Sequence, residues 1–262
     1  MAITAERIVQ YNLQEFKQVM TNIDNQKGSA MAEQNPSIPI NIILASNSPR
    51  RKQLLEEAGV KFTVYTGTTE IDETLEPDLL KQPEEAAKKL AERKAGAVVQ
   101  DILAQNPVGL GIVIGADTMV VLDGEIFGKP YSADHAREML GRLSGRTHQV
   151  ITGVSVWMIL LNETEENGGD GNVSLGFRSF TETSHVTFKE LTKEDINAYV
   201  ATGETIDKAG AYGIQGRGAA LVETYQGDYN NIVGLPVDKL LKNFPDLLCT
   251  HVPIEPITAE GE

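Results

Sequence analysis

The chain of 262 residues carries 37 Asp and Glu against 23 Lys and Arg, a formal charge of −14, with 41% hydrophobic and 23% charged residues. That length and apolar content suffice for one large α/β domain or two small ones and exclude disorder of the whole chain. The acidic balance argues against non-specific binding to a nucleic acid polymer, whose phosphates reward a basic surface, yet leaves room for a few cations to converge on a small anion.

In chain order, the start Met1-Ala2-Ile3-Thr4-Ala5-Glu6-Arg7 lacks a basic region followed by an apolar core, so no secretory signal is expected. Val9, Leu13, Phe16 and Met20 are spaced four, three and four apart, one stripe of an amphipathic helix over 5–23. Residues 24–40 are polar and Pro-broken and read as a linker, so 1–40 are expected to be an appendage. Asn41 to Ala45 suits a buried strand. In the following Ser46-Asn47-Ser48-Pro49-Arg50-Arg51, Ser48 can cap a helix, Pro49 can take its first position and Gly59 can end it.

A second helix is expected over Glu84 to Val99, with Ala87, Leu90, Ala91 and Val98 inward. Val113 to Gly115 reads as the end of a strand, and Val120 to Phe127 around Asp123-Gly124 as a hairpin. Ser132 is placed to cap a third helix ending near Gly141. Gln149 to Leu161 and Arg178 to Lys189 look like partner strands joined by a polar, Gly-rich loop. The apolar run from Val154 to Leu161 falls far short of the roughly 20 residues of a membrane span. Thr192 and Asp195 resemble a capping box, 203–218 form a Gly-rich loop, a strand is expected near Ala219 to Val222, and a final helix near Pro236 to Phe244. The single cysteine, Cys249, cannot form an internal disulfide, which fits a reducing compartment and a cytoplasmic location. The expected division is an appendage at 1–40, a body at 41–248 and a tail at 249–262.

Two places carry candidate chemistry. At Ser46 to Arg51 a helix N-terminus presents free N–H groups, joined by two hydroxyls and two guanidinium groups shaped to phosphate oxygens. The same hexapeptide can equally be a capped surface helix with solvated arginines. Asp117, in Gly115-Ala116-Asp117-Thr118, is expected at the carboxyl end of a buried strand, where α/β sheets bind ligands. It could bind a divalent cation, take a proton from water, or merely cap a turn. Glu70, Asp72 and Glu73 form an acidic cluster that could be a solvated loop, and Lys94 and Lys129 could be ordinary surface charges. There is no P-loop, His-Glu-x-x-His, Cys-x-x-Cys or Gly-x-Ser-x-Gly, and the four histidines are scattered.

Leu44 to Arg51, Gly115 to Val120, Gly128-Lys129-Pro130, Leu143 to His148, Asp207 to Gly216 and Val233-Gly234-Leu235-Pro236 follow one another in a single order. Together, over about residues 41 to 245, they resemble the Maf family of nucleoside triphosphate pyrophosphatases, also called septum formation inhibitors. The resemblance implies a mixed α/β fold, an elongated central sheet with flanking helices in two lobes around a deep cleft, like inosine triphosphatase, and usually a homodimer. It implies Asp117 as general base, Glu73 with Asp117 at a divalent metal (Mg²⁺ or Mn²⁺), and Lys94 and Lys129 facing the triphosphate. Arg50, Thr118 and Gln215 match positions tied to substrate choice, and Ser46, Ser48, Arg51 and Lys208 complete the expected substrate-binding set. The form of the 207–216 loop resembles the branch acting on dTTP and UTP. The alternatives are a 7-methyl-GTP pyrophosphatase and a nucleotide-responsive inhibitor of cell division acting through a protein partner.

Overall fold

The computed structural model describes residues 8–11, 37–68, 71–105, 109–161, 173–248 and 251–253. Its elements are β1 (Ile8–Tyr11), β2 (Ser37–Leu44), α1 (Pro49–Glu57), β3 (Thr63–Val64), α2 (Pro83–Ala104), β4 (Gly109–Leu122), β5 (Glu125–Phe127), α3 (Ala133–Leu143), β6 (Thr147–Leu161), β7 (Val173–Phe188), α4 (Lys193–Val200), β8 (Val222–Gln226), α5 (Tyr229–Val233), α6 (Val237–Asn243) and β9 (His251–Pro253). The fold is α/β, with the nine described strands in one mixed sheet of order β1-β7-β6-β4-β2-β3; β5 pairs with β4, β8 with β7 and β9 with β2.

The long ladder β4-β6-β7 is antiparallel, whereas β2 runs parallel to β4 and to β3. Along one edge of β4, β2 pairs with Leu110 to Ile114 and β5 with Val120 to Leu122. The opposite edge is filled by β6 from Gly109 to Val121. Residues 115 to 119 therefore have a strand on one side only. Asp117 lies mid-strand, not at the end of β4 as expected, but it sits just beyond the point where the parallel pair stops. That is the position where open α/β sheets receive ligands.

α2 covers one face of this ladder with Ala86, Ala87, Leu90, Ala91, Ala95, Val98 and Val99, all buried. It lies unusually close. A Cβ added to Gly115 would fall 2.6 Å from the Ala91 carbonyl oxygen, and one added to Gly153 would fall 2.3 Å from the Ala87 carbonyl oxygen. The two glycines stand on neighbouring strands two register positions apart, Gly115 opposite Ser155 and Gly153 opposite Asp117. The core on the other face gathers Leu44, Leu55, Ile114, Leu140, Leu143, Phe188, Leu235 and Leu240, each fully enclosed.

Local signals behave as their chemistry requires. Ser48, Ser132 and Thr192 each accept a backbone N–H at a helix start, and Thr192 and Asp195 close a reciprocal capping box. Asp123 and Gly124 both have positive φ (53° and 81°), the geometry of a tight hairpin turn. Several boundaries differ from expectation. Ile8–Tyr11 is a strand parallel to β7, not part of a helix, because sheet pairing overrides a four-residue stripe; residues 12–36 lie outside the described residues. β2 starts at Ser37, inside the expected linker, where β9 pairs with it. α3 continues past Gly141 to Leu143, β7 begins at Val173, and Gly216–Leu221 is a 3-10 turn preceding β8 where a strand was expected. Most of the polar loop after β6 falls outside the described residues.

Gly153→Ala should force α2 away from β6 and lower the unfolding free energy by at least about 1–3 kcal/mol, the usual cost of overpacking. Chemical denaturation would show it as a lower midpoint. An unchanged midpoint would mean that the helix can rise off the sheet freely.

Candidate active site

A cavity of about 770 Å³ opens against the unpaired stretch of β4, and all eleven residues singled out from the sequence line it. Ser46, Ser48, Arg50 and Arg51 come from the turn between β2 and α1, Asp117 and Thr118 from β4, and Lys94 from the buried side of α2. Glu73 lies between β3 and α2, Lys129 follows β5, and Lys208 and Gln215 belong to the loop between α4 and β8. Glu70 falls outside the described residues, and Asp72 turns away to accept the Thr74 N–H at 2.9 Å.

The charged centre is a lysine held by two carboxylates. Lys94 Nζ donates to Asp117 Oδ1 at 2.5 Å and stands 2.8 Å from Glu73 Oε1. Partial burial works to raise the Glu73 carboxyl, but the hydrogen bond and charge of Lys94, with Lys129 and Arg51 behind it, prevail and hold it below the ordinary value. Asp117 Oδ2 keeps no partner among the described residues. Two carboxylate oxygens thus converge on one ammonium, and donors of this hard type are also the kind that hold a small divalent cation. No cluster of three or more His, Cys, Asp or Glu side chains fit for a metal occurs among the described residues.

Arg51 forms the second anchor. Its Nε donates to the Gly234 carbonyl at 2.8 Å, and its two terminal nitrogens donate to Ser46 Oγ and Thr118 Oγ1, both at 3.1 Å. Burial lowers its pKa, partly offset by Asp117, but a guanidinium remains charged. Thr152 Oγ1 spends its proton on the Asn231 carbonyl at 3.0 Å, so Thr118 donates to Thr152 across 3.0 Å. The chain of bonds therefore has one direction, from Arg51 through Thr118 and Thr152 to Asn231. Asn231 is wholly buried and donates to Val150 O and Ser184 Oγ at 3.0 and 2.9 Å.

On the opposite wall, Asp207 accepts from Lys208 Nζ at 2.6 Å and from Arg50 at 3.4 Å. Partial burial opposes its ionisation, but Lys208 and Arg50 lower its pKa overall. Lys129 and the Gln215 amide have no hydrogen-bond partner among the described residues. Counting the lining side chains, five are basic and three acidic, so the cavity is locally positive in a chain of net charge −14.

A profile of Maf-like proteins matches residues 41–247. The chain belongs to the Maf family. It is 47% identical over 201 residues to a protein of Bacillus velezensis named dTTP/UTP pyrophosphatase, covering 77% of this chain and 93% of that one. A Bacillus cereus protein of the same name is 44% identical over 213 residues, covering 80% and 98%. A Bacillus thuringiensis protein, again of that name, is 45% identical over 201 residues, covering 77% and 92%.

Several members of the site escaped the sequence. Asp207 stood inside a quoted motif beside Lys208, but nothing marked it as the brace between Lys208 and Arg50. Thr152 and Asn231 look like ordinary strand and helix residues, and only the register of β4 on β6 brings Thr152 opposite Thr118. Tyr212, on the cavity wall, is 5% exposed and meets His148 Nε2 at 2.7 Å.

His148 is buried beneath the loop and its Nδ1 has no partner among the described residues, so burial depresses its pKa from 6.5 to about 4. The unfolded chain takes up this proton below about pH 6.5 while the folded one resists it. Stability should therefore be full above that pH and fall by up to about 3 kcal/mol on the way to pH 4. Denaturation midpoints across that range, compared with His148→Gln, would check it: the variant should lose this part of the slope.

Proposed function

We propose that this chain is a nucleoside triphosphate pyrophosphatase that hydrolyses dTTP and UTP to the monophosphate and pyrophosphate. The observation that carries the reading is the Glu73–Lys94–Asp117 cluster beside the open edge of β4, in a locally positive cavity large enough for a nucleotide. Relatives at 44–47% identity named dTTP/UTP pyrophosphatase support it, over the span that holds every residue invoked.

In this reading the triphosphate, with about four negative charges, lies along Ser46, Ser48, Arg50, Arg51, Lys94 and Lys129, whose donors offset the charge that grows as the anhydride breaks. Asp117 orients a water and takes its proton at the carboxylate oxygen not engaged by Lys94, and Lys94 keeps that carboxylate aimed. The water oxygen bonds to the α-phosphorus and ends in the monophosphate, while the bond from that phosphorus to the α,β-bridging oxygen breaks and pyrophosphate leaves with that oxygen. Glu73 and Asp117 are the residues that would hold Mg²⁺ or Mn²⁺, which when bound would withdraw charge from the phosphate oxygens. At the far end of the cavity the Gln215 amide offers both a donor and an acceptor to a uracil or thymine edge. Thr118 enters as the fixed partner of Arg51, and Lys208 as a charge shared with Asp207. Family membership further supports a homodimer working in the cytoplasm, with residues 1–40 and 249–262 as additions to a catalytic body at 41–248.

Chromatography of dTTP or UTP incubated with Mg²⁺ or Mn²⁺ should give monophosphate and pyrophosphate. Diphosphate and orthophosphate as sole products would reject the reaction. Asp117→Asn should lose at least about 10²-fold in turnover while melting normally. Near-normal turnover would reduce Asp117 to a structural residue.

Gln215→Ala should lower the preference for UTP over CTP by roughly ten- to a hundred-fold, the cost of an amide left unpaired by the wrong base. Equal loss of kcat/KM for both nucleotides would show instead that Gln215 braces the loop.

A further inference from the structure

The backbone of the 213–218 segment that carries Gln215 is hydrogen-bonded to a buried phenol. Tyr199, on the last turn of α4, is 4% exposed, and its hydroxyl accepts the Gly213 N–H at 3.2 Å. Gly213 lines the catalytic cavity two residues before Gln215. The other arm of the loop returns to the same point. A Cβ added to Gly218 would fall 2.0 Å from the Gly213 carbonyl oxygen and 2.9 Å from the Tyr199 hydroxyl. The two arms are thus packed backbone to backbone, with the phenol oxygen against both.

The platform is rigid. α4 begins in the reciprocal Thr192–Asp195 capping box, and Tyr199 stands at its far end. Tyr199 also borders a second cavity of about 390 Å³, shared with Thr202, Arg217 and Leu221 among others. Ile214, between Gly213 and Gln215, is buried in the core at 6% exposure, so the segment is anchored by that side chain together with the contacts that Tyr199 and Gly218 make. Gln215 itself has no side-chain partner among the described residues, so its position is inherited from the backbone that Tyr199, Ile214 and Gly218 hold. Gly216, at φ +62°, turns the chain directly after it.

We propose that Tyr199 is a positioning residue for base selection: through Gly213 its hydroxyl sets the depth at which Gln215 meets the pyrimidine. The inference rests on the base-reading role given to Gln215 above. Tyr199 touches no reacting atom, so its influence belongs in KM and in the choice of base rather than in the phosphate chemistry. Gly218 acts with it by letting the two arms close.

Tyr199→Phe tests this, because the ring stays and only the hydroxyl goes. The UTP-to-CTP ratio of kcat/KM should fall about tenfold, the scale of one lost hydrogen bond, chiefly through a higher KM for UTP. The melting temperature should stay within a few degrees. In a Gln215→Ala background the same substitution should leave the ratio unchanged, since a shared pathway is non-additive. Gly218→Ala should lower the ratio as well, by displacing the loop. An unchanged ratio in Tyr199→Phe, a fall that is equal for both nucleotides, or an equal further fall in the Gln215→Ala background would each overturn the inference. If the unmodified protein itself releases pyrophosphate from UTP and CTP equally well, the base-reading role of Gln215 fails first and this inference falls with it.

Discussion

The seating of α2 directly on the backbone of β4 and β6 is the constraint on which the rest of the site depends. Gly115 and Gly153 remove the two side chains that would otherwise hold the helix off the sheet. At the closer spacing Lys94, whose side chain is 16% exposed, reaches Asp117 across the interface. A buried or half-buried carboxylate is costly without a partner, and the lysine supplies one. Because helix and strands are both stiff, an error at either glycine would pass undiminished to the lysine. The geometry of the Lys94–Asp117 pair is thus set by backbone contacts one to two turns away from the charges themselves.

The second constraint is topological. β4 is a single long strand that is paired throughout on one edge and interrupted on the other, where β2 has ended and β5 has not begun. That interruption leaves room for the β2–α1 turn, the β5–α3 turn and the loop between α4 and β8 to meet over Asp117 and Thr118. Their charges explain how a strongly acidic chain can present an electropositive cavity: Arg50, Arg51, Lys94, Lys129 and Lys208 are gathered there against three carboxylates. At short range those local charges outweigh the distant surface charge, which solvent screens over about 10 Å.

The cavity's two ends are stabilised differently. At one end, Arg51 is tied to Gly234, Ser46 and Thr118, and the proton order from Thr118 to Thr152 to Asn231 locks it in one orientation. Buried polar networks of this kind specify a geometry because each unsatisfied group would carry a desolvation cost. At the other end, the Gln215 amide has no such ties among the described residues, and only its backbone is anchored. Under the proposed pyrophosphatase reading, rigid charge stabilisation paired with an uncommitted amide is a sensible division of labour, since phosphates are common to all nucleotides and the base is what differs.

Sequence alone determined the short-range features and the chemically dense turns. Ser48-Pro49, Ser132, Thr192-Asp195 and Asp123-Gly124 acted through bonds spanning two to four residues, which local composition specifies. Ser46 to Arg51, Asp117 and the 207–216 loop were legible because their residue types are concentrated in a few consecutive positions. Tertiary structure alone decided Ile8–Tyr11 as a strand, the start of β2 at Ser37 and the mid-strand place of Asp117, since each depends on a partner far along the chain. It also decided the work of Gly115, Gly153, Thr152, Asn231 and Tyr199. A glycine needed for close approach looks the same in sequence as one in a loop, and a buried threonine is indistinguishable from a solvated one. Only when α2 is laid on the sheet, and β4 is set in register with β6, do those residues acquire neighbours and with them a function.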